Sequence, residues 1–90
     1  MGRNTNWIVS YDISDDRLLR KTADYLEKKG LRIQKSVFFV KTDSQGIRTI
    51  KDKIYSLLGN EHRVIVIPVC ATCMGRAQFL GPEEKSWVID

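Results

Sequence analysis

The chain is poor in the residues that usually announce a metal or disulfide framework: one histidine, two cysteines and two prolines in 90 residues. A tetrahedral zinc site needs four ligands. His62, Cys70 and Cys73 supply three, so a zinc site within one chain is not expected. No stretch approaches the roughly 18 consecutive apolar residues of a membrane span. The opening MGRNTNWIVSYD has neither the apolar core nor the small-residue cleavage site of a signal peptide. A cytoplasmic protein with no membrane partner is the expectation, and cysteines in that compartment stay reduced. Cys70 and Cys73 stand in the stretch CATC. A thioredoxin-type pair would open a helix after a strand, beside a βαβ unit. The sequence shows no such context, so the two are read as structural cysteines. Internal repeats and low-complexity segments are also missing.

What is present is ordinary globular composition, with 42% hydrophobic and 29% charged residues. A chain this short makes one modest core, and self-association would bury more apolar surface. The net charge of +4 is unevenly placed. Residues 1–42 hold nine Lys/Arg against five Asp/Glu, and residues 43–90 hold six of each. A clustered basic excess suits a polyanion partner, although a merely soluble surface carries as much.

Residues 7–13, WIVSYDI, read as a strand with Trp7, Val9, Tyr11 and Ile13 toward a core and Ile8, Ser10 and Asp12 on the other face. Ser14 then suits an N-cap, with Asp15 and Asp16 in the first turn of a helix over about 15–29 that ends at Gly30 as its C′ residue. Residues 31–41, LRIQKSVFFVK, make one long strand or two bent around Gln34–Lys35–Ser36. Asp43 or Ser44 caps a second helix with the stripe Ile47, Ile50, Ile54, Leu57 and Leu58, closed by Gly59. RVIVIPVC over 63–70 fits a strand covered on both faces, and Pro68 puts its end at an edge or bulge. After a loop with Gly75, Gly81 and Pro82, SWVID reads as a short last strand. This order is an α+β, ferredoxin-like βαββαβ sandwich with an extra C-terminal strand. Residues 1–82 form the domain, and residues 83–90 are the tail.

Asp12 raises the functional question. Strands disfavour Asp, and a carboxylate at a strand tip either caps the turn that follows or holds something positive. The pattern YDISDD after an apolar strand, a basic helix ending in Gly30, then RIQKSVFFV resembles the small CRISPR-associated family called Cas-two. The resemblance covers nearly the whole chain. It implies that residues 31–41 form a hairpin. It also implies a homodimer in which Asp12 of each subunit meets its twin near the two-fold axis and shares a divalent cation such as magnesium.

Further roles follow from the same resemblance. Tyr11 and Asp12 would be catalytic, with Asp12 also the metal ligand. Arg17, Arg20 and Lys21 on the first helix, with Arg32 and Phe38 of the R-x-Q-x-S-V-F motif, would contact nucleic acid. Read as plain residues, Tyr11 and Phe38 are equally core aromatics, and the basic residues equally a solvated face. Leu18 and Leu19 stand where relatives often carry another Arg, so the patch is thin. The tail 83–90 is implied to add a strand to the partner's sheet. Two functions are implied: a metal-dependent endonuclease on RNA or DNA, or a non-catalytic dimer that holds double-stranded DNA and bridges the CRISPR integrase subunits. A ferredoxin-like ligand-binding regulator would need a Gly-rich effector loop, which the sequence lacks.

Overall fold

In the computed structural model, residues 4–78 are described. The strand expected at 86–90 and the boundary of the tail at 83 lie outside them. Alternation of apolar and polar residues produces β1 (Thr5–Asp12). It is followed by α1 (Asp16–Glu27), β2 (Leu31–Gln34), β3 (Val37–Thr42), α2 (Ser44–Leu58), β4 (Arg63–Val69) and a single-turn helix, α3 (Ala71–Gly75). The four strands form one sheet in the order β2-β3-β1-β4, with every pairing antiparallel. This is the ferredoxin-like arrangement expected. Residues 31–41 are two strands joined at Lys35–Ser36, as the hairpin reading required.

Both long helices lie against the same face of the sheet. Val9 and Tyr11 of β1 and Phe38 and Val40 of β3 pack with Ala23 and Leu26 of α1 and with Ile47, Ile50, Ile54 and Leu58 of α2. Full burial of each large apolar side chain is worth about 1.5–3 kcal/mol, so the α2 stripe alone fixes that helix on the sheet. Asp43 caps α2 by accepting the Gly46 amide at 2.7 Å, and Gly59 ends it at φ 65°. A left-handed residue here is the reason for glycine.

Three local expectations are corrected. The N-cap of α1 is Asp15, not Ser14: its backbone is extended, its side chain accepts from the amides of Arg17 and Leu18, and the helix begins at Asp16. Gly30 does not carry a positive φ. It is glycine because a Cβ there would collide with the Phe39 carbonyl and press on Val40. Finally, among the described residues β4 is covered on one face only. It is an edge strand, as Pro68 foretold, and Ile65 and Ile67 are 55% and 46% exposed. An apolar run says that a strand wants cover; it does not say that the same chain provides it.

CATC is the largest departure. Cys70 follows β4 directly and caps α3, so the pair does open a helix after a strand. Both cysteines are exposed and free, which removes the reading that they pack structurally. A helix of five residues is too short to leave a periodic signal.

Candidate functional site

Asp12 ends β1 and is exposed. Period-two alternation puts Ile8, Ser10 and Asp12 on the face away from α1 and α2 and Tyr11 on the covered one. The strand tip is held from both sides. The Tyr11 amide donates to the Ser36 carbonyl at 3.1 Å, and Asp12 stands opposite Arg63 in the β1–β4 register. Sequence reasoning missed Arg63, because only the strand register brings it to the tip.

The carboxylate of Asp12 is uncommitted. Among the described residues it accepts no hydrogen bond, and the one ion pair is Arg32 with Glu27. A capping Asp12 would accept from the amides around Ser14 to Asp16, and among the described residues none of these donates to it. At the helix start the amides of Arg17 and Leu18 donate to Asp15 Oδ1 at 2.9 and 3.1 Å. Capping is therefore assigned to Asp15, and Asp12 is left facing solvent. Among the described residues, no group of three His, Cys, Asp or Glu side chains converges to hold a metal. Asp12 is the one carboxylate that β1 itself carries at its tip.

Tyr11 and Phe38 lie beneath it, in the core. Tyr11 is 4% exposed, Phe38 is fully buried, and their rings stack 6.2 Å apart. The Tyr11 hydroxyl has no hydrogen-bond partner. Burial pushes its pKa upward, with the Arg32 charge opposing and the Glu27 charge adding to the rise. Arg32 covers the outer side of this column, its guanidinium 5.6 Å from the Phe38 ring centroid. Nη1 donates to Glu27 Oε2 at 3.1 Å and Nη2 to the Lys35 carbonyl at 2.9 Å. Arg32 is thus a clasp between α1, the hairpin turn and the core aromatics.

Arg17, Arg20 and Lys21 are exposed on α1. Arg20 and Arg32 come together with Asp16, Leu19, Ala23 and Asp24 around a shallow groove of about 250 Å³. Arg17, Lys21 and Asp12 do not line it. Two of the expected nucleic-acid residues are therefore neighbours, Arg17 and Lys21 lie along the same helix as Arg20, and Phe38, on β3, is fully buried and presents no surface to a ligand. No helix among the described residues is long and apolar enough to cross a membrane.

Residues 5–77 match the family described as CRISPR associated protein Cas2. The chain is 32% identical over 85 residues to the CRISPR-associated endoribonuclease Cas2 1 of Chloroflexus aurantiacus, covering 89% of this chain and 91% of that one. Its fold superposes on Streptococcus pyogenes Cas2 with a TM-score of 0.77 at 21% identity, over 84% of this chain and 99% of the other. A chain of the partial Cas6-RT-Cas1–Cas2 complex matches with a TM-score of 0.75 at 21% identity, over 84% and 90%. At such identities the two structures speak to the fold.

Proposed function

Since the chain belongs to the family of CRISPR associated protein Cas2, we propose that it is a CRISPR adaptation protein and a magnesium-dependent endonuclease on RNA or DNA. It acts in the cytoplasm as a homodimer beside the CRISPR integrase. The observation that carries the nuclease reading is the uncommitted carboxylate of Asp12 on a face that is also apolar. Leu31, Ile65 and Ile67 are exposed, and the strand register puts them on the side of the sheet where Asp12 lies. Two copies meeting through that side would cover these residues and bring two Asp12 tips toward one another. Paired carboxylates repel and favour a bound cation or a proton. Their oxygens suit a hard cation, which when bound supplies a polarised water for attack on a phosphodiester.

The other residues take supporting parts. Arg17, Arg20 and Lys21 meet phosphates along α1, where guanidinium groups suit bidentate contact. Arg32 shapes the groove beside Arg20, held over Phe38, while Tyr11 packs under the strand tip and fixes where Asp12 points. The open edge of β4 is the place for residues 83–90 of a partner chain to add a strand. The relative's name, an endoribonuclease, supports nuclease activity. The complex containing both Cas1 and Cas2 supports an integrase partner. One observation favours a second reading: with β1 itself carrying a single carboxylate at its tip, a dimer can hold DNA as a scaffold without cutting it.

The test is cleavage of RNA and duplex DNA by wild type and Asp12→Ala, with magnesium or with EDTA. Activity should vanish in the variant and in EDTA while the dimer persists. Full activity in purified Asp12→Ala would end the metal role. Binding of uncut DNA by an inactive wild type selects the scaffold. Binding should weaken with salt at a log–log slope of about −0.9 per phosphate contacted on B-DNA. Changing Arg17, Arg20 and Lys21 together to Ala should flatten that slope.

A further inference from the structure

The nuclease reading leaves Cys70 and Cys73 without a part. They are the two free thiols of the chain, both exposed, three residues apart across one helical turn. Residues so spaced face each other on a helix. Cys70 has extended backbone, φ −71° and ψ 159°, and its sulfur lies over the turn, accepting the Cys73 amide at 3.4 Å.

The environments of the two sulfurs differ in the sense a stepwise exchange needs. The Cys73 amide, and after it the Cys73 thiol, donate to the Cys70 sulfur and hold its pKa below the ordinary thiol value. Cys73 moves the other way, because its own thiol proton is engaged by Cys70 and because a negative Cys70 sits beside it. A thiolate is the attacking species in disulfide exchange, so Cys70 is the group that reacts first and Cys73 the one that waits.

We propose that Cys70 and Cys73 form a redox-active dithiol that exchanges with low-molecular-weight disulfides such as oxidised glutathione. The Cys70 thiolate attacks one sulfur of the small disulfide. That S–S bond breaks, one thiolate leaves and takes up a proton, and Cys70 carries a mixed disulfide. Cys73 then loses its proton, attacks the Cys70 sulfur and expels the second small thiol. The net change converts two protein thiols and one small disulfide into an internal protein disulfide and two small thiols. The new bond would tie the end of β4 to the first turn of α3, whose Met74 is buried and whose residues touch β1.

The experiment treats the reduced, full-length protein with oxidised glutathione and follows intact mass and free thiols. Wild type should lose both thiols with no retained adduct. Cys73→Ser should keep one glutathione on Cys70, and Cys70→Ser should react several-fold more slowly. Glutathione retained on both cysteines of wild type, equal rates in the two single variants, or disulfides joining separate chains would each overturn the assignment. So would thiols protected by zinc that copurifies with the reduced protein. Both side chains are exposed, so matching circular dichroism of the variants confirms that a change in rate is a change at the thiols.

Discussion

The two faces of the sheet are built from the same kinds of residue and have different fates. On the covered face, Val9, Phe38 and Val40 are at most 1% exposed beneath α1 and α2. On the other, Ile65 and Ile67 of β4 are about half exposed, although Val64 and Val66, which alternate with them, pack against the core. Hydrophobicity along β4 does not change from one residue to the next; what changes is whether a helix of this chain lies opposite. The difference teaches that the covered face specifies the fold, and that part of the other face is apolar surface which the described residues leave open.

The comparison breaks most visibly at Phe38. Replacement by Ala should cost about 3–5 kcal/mol, read from denaturant midpoints, because the cavity would open between both helices and the sheet. A cost below about 1 kcal/mol would show that the covered face is not the core. Changing Ile65 and Ile67 together to Lys should leave the folded chain intact by circular dichroism and halve its mass in solution. A double variant that remains dimeric would move the proposed interface elsewhere.

The β1–α1 corner sharpens the contrast on a smaller scale. Asp15→Ala removes a helix cap and should lower stability by about 1 kcal/mol, whereas Asp12→Ala should change thermal stability of the separated chain hardly at all. Equal losses would mean that both acids serve the turn. The smallest effect is expected at Tyr11. Its buried hydroxyl has no partner, so Tyr11→Phe should be neutral or stabilising by up to about 1 kcal/mol. Because folding raises the Tyr11 pKa, the folded state keeps the phenol proton longer than the unfolded state does. That contribution is fully present below the unfolded value of about 10 and is lost as pH rises through the folded one. Tyr11→Phe should therefore flatten the alkaline loss of stability. A large drop in cleavage by a well-folded Tyr11→Phe would instead give the hydroxyl a catalytic part.

Much of the covered face was legible in the sequence, because a periodic stripe is written by burial itself. Val9 and Tyr11 alternate with Ser10 and Asp12, and Ile47, Ile50, Ile54 and Leu58 recur at helical spacing, as the structure has them. Features that depend on a neighbour distant in sequence were harder to see. The clasp of Arg32 on Glu27 and Phe38, the placing of Arg63 opposite Asp12, and the pressure of the Phe39 carbonyl on Gly30 all need the sheet to exist first. In the sequence Ser14 reads as the cap and Asp15 as a first-turn acid; both are good cap residues, and periodicity does not fix a helix start to one residue. CATC was misread for a different reason: one turn of helix leaves no pattern.

The sheet order has a kinetic consequence. β1 is made first yet lies between β3 and β4, and β4 is the last of the four described strands to be synthesised. Until residues 63–69 have emerged from the ribosome, the central strand can pair on one side only. Its other edge, with the Trp7–Val9–Tyr11 stretch, stays open to wrong partners. Pairing over so long a loop is slow compared with closing the β2–β3 hairpin, so the hairpin and the helices should form early and the β1–β4 pairing should limit the rate. A nascent chain of this protein therefore spends its vulnerable interval with its future centre exposed as an edge.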